Sequence, residues 1–276
     1  MPAGYRMRAD AHYVDQLASR RETVHSDAPR PTRRTEPAES LPVTDRRDSD
    51  PAREPRDGRD ARLDLLLGQV LADLGTIQAS AGLLTGAAEP LARRANVDAV
   101  RAHAWRAAWM LRAYVLADGT HRTQLRPRPL GGLLGQLRDG FAGECRLTGL
   151  DLQLAGDWNA AVTVDEVAMV TALSGAVFAS LALLPDVSGA AIKVSAATVG
   201  HDLRSIEVTQ DEAQLPAAVS SRFFDPAWTE RPGGWMAALG AATVKSAAAL
   251  HNGEAAFMTG ARRGSTIRLS FASTRS

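Results

Sequence analysis

The sequence predicts an α+β protein: a helical hairpin that forms a four-helix bundle on dimerisation, followed by an α/β sandwich whose mixed sheet is covered by helices on one face. Three observations lead there. Residues 62–85 place Leu63, Leu67, Val70, Leu74, Ile77, Ala81 and Leu84 at alternating spacings of four and three, a heptad seam on one helix. Residues 96–117 repeat the pattern with Val97, Val100, Ala104, Ala107, Leu111 and Tyr114 before Asp118 and Gly119 stop it. From residue 130 onward, short runs of β-formers alternate with apolar helical stretches.

Residues 1–60 are rich in Arg, Asp, Glu, Pro and Ser and lack periodic apolar residues after Leu41, so a disordered tail is expected there. Residues 61–120 then form the hairpin, broken by Gly86 and Pro90. Two antiparallel helices cannot hide wide apolar faces by themselves, which predicts pairing with a second copy.

Residues 126–276 form the second unit. Residues 130–141 read as a short helix, 150–154 and 161–164 as strands, and 165–184 as a long buried helix. Strands follow at 191–196, 205–209, 255–259 and 266–271. Between them lie an aromatic-Pro turn (Phe223, Phe224, Pro226), a loop closing on Gly233 and Gly234, and an Ala-rich helix that stops near His251, Asn252 and Gly253. A loop feeding a helix N-terminus is a candidate anion site, because free amides and the helix dipole converge there.

Composition narrows the function. A length of 276 residues with 45% hydrophobic content supports one or two domains with a real core. The net charge of +1 leaves no strong basic field outside the tail, so no nucleic-acid partner is expected. Cys145 is the only cysteine, which rules out an intramolecular disulfide and a Cys-based zinc site. No apolar signal core opens the chain, and the cytoplasm is the expected compartment. The uncharged run 167–184 reaches the lower limit for a membrane span. It is diluted by Thr171, Ser174, Gly175 and Ser180 and flanked by Asp165, Glu166 and Asp186 without a basic side, so a core helix is predicted and no membrane partner.

His12, His25, His103, His121, His201 and His251 show no metal-binding spacing, and Ser174 and Ser180 have no His pattern for nucleophilic chemistry. Trp105 and Trp109, one turn apart, form a stripe expected to pack on the second unit. His103 reads as a solvated helix histidine.

The order of motifs along 62–272 resembles the sensor histidine kinases, with their dimerisation and phosphotransfer hairpin and ATP-binding sandwich. Residues 224–228 stand at the F-x-P-F turn, Gly233 and Gly234 lie in the lid region, Ala238, Leu239, Gly240 and Ala241 occupy the glycine box, and Val244, Lys245, His251 and Gly253 match the terminal V-K-x-x-x-x-x-H-G-G. On the first helix, Leu71, Ala72, Asp73 and Leu74 occupy the H-D/E-L motif.

The resemblance implies a nucleotide site whose reactive groups are gone. Ala72 takes the phosphoacceptor position and offers no nucleophile. Gly175 and Ala179 stand where the family carries asparagines, the second of them the magnesium ligand, and neither has a side-chain oxygen. Gln210 replaces the adenine-binding Asp, and Glu212 replaces a glycine, adding bulk and like charge beside a polyphosphate. Of the two box glycines only Gly240 remains. The expectation is a degenerate, pseudokinase-like protein, not an enzyme and without cofactor, ATP and Mg entering only if the divergent site still binds them. It would act as a dimeric scaffold or regulator in two-component-type signalling, with a response-regulator receiver domain or another kinase as partner. The alternative is a histidine phosphotransfer protein, or a divergent active kinase, using a non-standard His such as His103.

Overall fold

Alternation of side chains along three strands sets the core. Ile192 and Val194, Ile206 and Val208, and Ile267 and Leu269 are buried on one face of a sheet, while Lys193, Glu207, Thr209, Thr266 and Arg268 lie on the other. The open face is knitted by cross-strand pairs: Arg268 Nε donates to Glu207 Oε1 at 2.7 Å, and the Thr209 and Thr266 hydroxyls meet at 3.0 Å.

The computed structural model describes residues 54–84, 89–199, 202–225, 233–260 and 264–271. In chain order the elements are α1 (Glu54–Leu84), α2 (Pro90–Ala117), β1 (Arg126–Pro129), α3 (Leu130–Thr148), β2 (Asp151–Ala155), β3 (Ala161–Val164), α4 (Glu166–Leu183), β4 (Ala191–Val199), β5 (Asp202–Gln210), α5 (Ala217–Ser220), α6 (Gly234–Leu250), β6 (Gly253–Thr259) and β7 (Ser265–Phe271). The main sheet has five strands in the order β2-β4-β5-β7-β6, with β2 parallel to β4 and the other pairings antiparallel. A two-stranded antiparallel ribbon, β1 with β3, lies beside it. The molecule is thus α+β, a helical hairpin ahead of a mixed sheet whose apolar face is covered by helices.

The central helix is α4, in which every residue from Ala168 to Leu181 is buried. It packs on α6, α3 and α2 and on the sheet through β5. A helix apolar on every side belongs in a membrane or in the middle of a core. By length and composition α4 could cross a bilayer, but 78% of it is buried inside the protein. Its first turn is capped by Asp165, whose Oδ1 accepts from Ala168 N at 3.0 Å.

The second hairpin helix is joined to this core. Trp109, Met110, Ala113 and Leu116 are buried, and Trp109 Nε1 donates to the Thr171 carbonyl at 3.0 Å. The Trp109 ring lies 4.5 Å from Phe178, which in turn lies 4.8 Å from Phe141. The tryptophan stripe is therefore a packing stripe, and α1 packs on α2 with Leu66 and Val70 joining the same core.

Several element bounds differ from the sequence reading. The first helix begins at Glu54, inside the stretch expected to be tail, while residues 1–53 lie outside the described ones. Gly86, Pro226, Trp228, His12, His25 and His201 also fall outside them. The helix predicted to end at Phe141 runs on to Thr148. Two of its glycines are contact points, not stops: a Cβ at Gly140 would overlap the Trp105 ring, and one at Gly143 would lie 2.6 Å from the Asp98 carbonyl oxygen. The true stop is Gly149, at φ 75. β1 is additional to the predicted strands; its Arg-Pro-Arg-Pro sequence lacks the β-formers that announce one.

Candidate functional site

Three of the predicted nucleotide-site residues meet where α4 crosses α6. Gly175 and Ala179 on α4 face Gly240 on α6 so closely that a Cβ on Gly240 would overlap the Gly175 carbonyl oxygen and lie 2.9 Å from Ala179 Cβ. A Cβ on Gly175 would overlap Thr243 Oγ1, whose proton goes to the Gly240 carbonyl at 2.7 Å. Small residues here let two helix backbones touch. Gly233 also joins the packing. It caps α6 at φ 77 and abuts the Ala182 carbonyl at the end of α4, while Gly234 follows at φ 58 and opens the helix.

Gln210 and Glu212 sit elsewhere, in the turn that ends β5. The buried Gln210 amide is fully engaged: Oε1 accepts from Glu212 N at 2.8 Å and Ala213 N at 2.7 Å, and Nε2 donates to Ser265 Oγ at 2.7 Å and to the Ala213 carbonyl. Its hydrogen-bonding capacity goes into closing the turn. The Glu212 side chain is exposed. Phe223, from the aromatic turn, is buried and stacks on Phe257 with centroids 4.2 Å apart.

His251 has a structural post that its motif position did not announce. Nδ1 donates to the Ala247 carbonyl at 2.7 Å, and Nε2 accepts from Asp165 N at 2.9 Å. Accepting at Nε2 requires the neutral ring, and burial lowers its pKa in the same sense. Asp165 is gripped from three sides: Oδ2 accepts from His121 Nε2 at 2.9 Å and from Gln124 N at 2.7 Å, in addition to the Ala168 bond. Burial raises the Asp165 pKa, but the Ala168 amide, His121 and the Gln124 amide outweigh it and hold the carboxyl below its ordinary range. This cluster ties the segment after α2 to the start of α4 and the end of α6.

The hairpin carries the second concentration of polar groups. Ala72 is exposed on α1, and its neighbour Asp73 points inward with 1% of its surface accessible. Arg106 from α2 grips the Asp73 carboxylate, Nη2 to Oδ1 at 2.7 Å and Nε to Oδ2 at 3.1 Å. His103 Nδ1 lies 2.8 Å from Asp73 Oδ1 and 2.7 Å from Arg106 Nη2. The expectation of a solvated His103 is thereby corrected, since the ring is held in the hairpin seam. A carboxylate only accepts and a guanidinium only donates, so Nδ1 serves Asp73 when protonated and Arg106 when not. Among the described residues Nε2 has no hydrogen-bond partner. Burial raises the Asp73 pKa, but bonds from His103 and Arg106 and the guanidinium charge bring it below the usual carboxylate range.

The predicted seam of α1 divides between two faces. Val70 is buried against α2, with Leu63, Ile77 and Leu84 partly so, whereas Leu67, Leu74 and Ala81 are exposed. Leu71, at 66% exposure, joins Leu67 and Leu74 in an outward apolar stripe, and Leu111 and Val115 continue it on α2. The buried face instead includes Leu66, Asp73 and Ser80.

No protein-family model matches the chain, and no curated protein matches it. Among solved structures, the catalytic domain of histidine kinase ThkA is similar at 15% identity and a TM-score of 0.47, over 54% of this chain and 95% of that one. A bacterial phosphotransferase is similar at 16% identity and a TM-score of 0.48, over 84% of this chain and 100% of that one. Histidine kinase AdeS of Acinetobacter baumannii is similar at 14% identity and a TM-score of 0.43, over 74% and 96%.

Proposed function

We propose that this protein is a catalytically degenerate, histidine-kinase-like signalling protein that works as a dimeric scaffold or regulator in two-component-type signal transduction, in the cytoplasm. The observation that carries the reading is the contact of α4 with α6 through Gly175, Ala179 and Gly240. In the family that the sequence resembles, α4 would present an asparagine to magnesium. Here the corresponding positions are hydrogen or methyl, pressed against another helix. Phosphoryl transfer depends on charge neutralisation by the metal, and a site without its ligand supplies none. The outward stripe of Leu67, Leu71, Leu74, Leu111 and Val115 suits a second copy of the hairpin, and the completed bundle would offer its surface to a receiver domain or another kinase. Calorimetry of the full chain with Mg-ATP, together with incubation in labelled ATP, tests the degeneracy: the expected outcome is neither tight binding nor label. Magnesium-dependent binding or autophosphorylation would overturn it.

A second reading, phosphotransfer through His103, is favoured by the Asp73–His103 contact. With Nδ1–H directed to Asp73, the Nε2 lone pair is free to attack an acyl phosphate, the carboxylate leaving as the N–P bond forms; Asp73 then faces the imidazolium. Incubation with a phosphorylated receiver distinguishes the two. Acid-labile label lost in His103→Ala favours phosphotransfer, and an unlabelled chain favours the scaffold.

A further inference from the structure

A concave site of about 490 Å³ opens where the start of α2 meets the end of α3, and none of Gly175, Ala179, Gln210, Glu212 and Gly240 lines it. Arg93, Arg94 and Arg101 line it from α2 and Arg146 from α3, with Pro90 at its edge and Asp98 at its base. Asp98, 5% exposed, is committed to Arg146 through a contact of 2.7 Å. That hydrogen bond, ahead of the opposing effect of burial, raises the Arg146 pKa and fixes its guanidinium as a permanent cation. The side chains of Arg93, Arg94 and Arg101 make no hydrogen bond or ion pair among the described residues. Pro90, in the first turn of α2, also lines the site, so the N-terminal end of the helix borders it.

Unneutralised guanidinium groups around one cavity repel each other and lower stability, a cost retained where an anion is to be bound. The geometry points to a binding site for a small molecule carrying two or more phosphate groups. The volume falls in the range of small-ligand sites. Arg93 and Arg101 are two turns apart, so their backbones are separated by roughly 12 Å along the helix and the cationic lining is elongated. A ligand with charge spread along its length can engage both, and the planar fork of each guanidinium matches a phosphate edge.

The inference is independent of the scaffold reading, and tripolyphosphate is the probe. Titrated into the full chain at low salt, it is expected to bind with one-to-one stoichiometry, at least about tenfold more tightly than orthophosphate. Arg93→Gln with Arg101→Gln should weaken it by about tenfold or more while the melting temperature holds or rises, since both side chains are exposed and have no partner among the described residues. Tripolyphosphate binding that is unchanged in the double variant, or no tighter than orthophosphate, would overturn the site. Binding of Mg-ATP that survives the double variant would count against the scaffold reading and leave this one untouched.

Discussion

The crossing of α4 with α6 and the outer face of the α1–α2 hairpin are built from similar residues and come to opposite ends. Both are rich in glycine, alanine and leucine. At the crossing, Gly175, Ala179 and Gly240 bring two backbones together with no room for another carbon. On the hairpin, a Cβ at Gly68, Gly75 or Gly82 would meet nothing within 4 Å, and Leu67, Leu71 and Leu74 stand beside them in solvent. Small residues seal a surface only where a second element already faces them; elsewhere they leave a surface waiting for one.

The sealed side should fail most severely. Gly240→Leu is expected to cost roughly 3 kcal/mol or more in chemical denaturation, because the added side chain has to displace the α4 backbone. Ala179→Asn sharpens the comparison, since it restores the residue type that the resembled family carries as its magnesium ligand, at a position packed on Gly240. It is expected to destabilise the fold and to confer no magnesium-dependent ATP binding; a stable variant that binds Mg-ATP would show that the crossing can open.

Next in size comes the seam between the two hairpin helices. Asp73→Ala leaves Arg106 without its carboxylate in a partly buried place, at an expected cost of about 2–3 kcal/mol by urea denaturation. Asp73→Asn should cost less, because an amide oxygen still accepts from Arg106.

How much of this was legible in the sequence depends on which signal each residue sends. The helices with apolar periodicity and the strands with clustered β-formers were readable. The first turns of α1 were not, because Glu54, Arg56, Asp57 and Arg59 carry no periodic apolar residue. The helix predicted over 130–141 is too short, and only the positions of Trp105 and Asp98 explain Gly140 and Gly143 within it. His251 was legible as a motif residue, but its partner Asp165 lies 86 positions away in the chain. For His103 a usable signal did exist. Asp73 falls on the same helix face as Leu66 and Val70, and a carboxylate on an inward face demands a cation from the facing helix, where His103 and Arg106 lie one turn apart. Gln210 could not be separated from an adenine anchor until its turn was seen.

The pH dependence follows from the groups that tie α4 in place. His251 is neutral in the fold with a depressed pKa, so the stability it contributes is complete above its unfolded value near 6.5 and is lost as pH falls through the folded one. Asp165 and Asp73, also depressed, add losses only at more acidic pH, below about 4. Denaturation midpoints should therefore drop between pH 7 and pH 5, and His251→Gln should flatten that limb without altering the acidic one. A limb that is unchanged in the variant would assign the effect to another group.

The open side should show the smallest effect on the fold of a single chain and the clearest effect on assembly. Leu71 is 66% exposed, so Leu71→Glu removes little buried surface within the protomer and should change its stability by no more than about 0.5 kcal/mol. In a four-helix bundle the same residue would sit between two hairpins, where a carboxylate is desolvated without a partner and repels its symmetry mate. Light scattering after size-exclusion chromatography should find a dimer for the parent chain and a monomer for the variant, with unchanged far-ultraviolet circular dichroism. A parent chain that is monomeric at tens of micromolar would leave the stripe uncovered by a second copy, and the likeness in composition between the sealed crossing and the hairpin face would then carry no consequence for assembly.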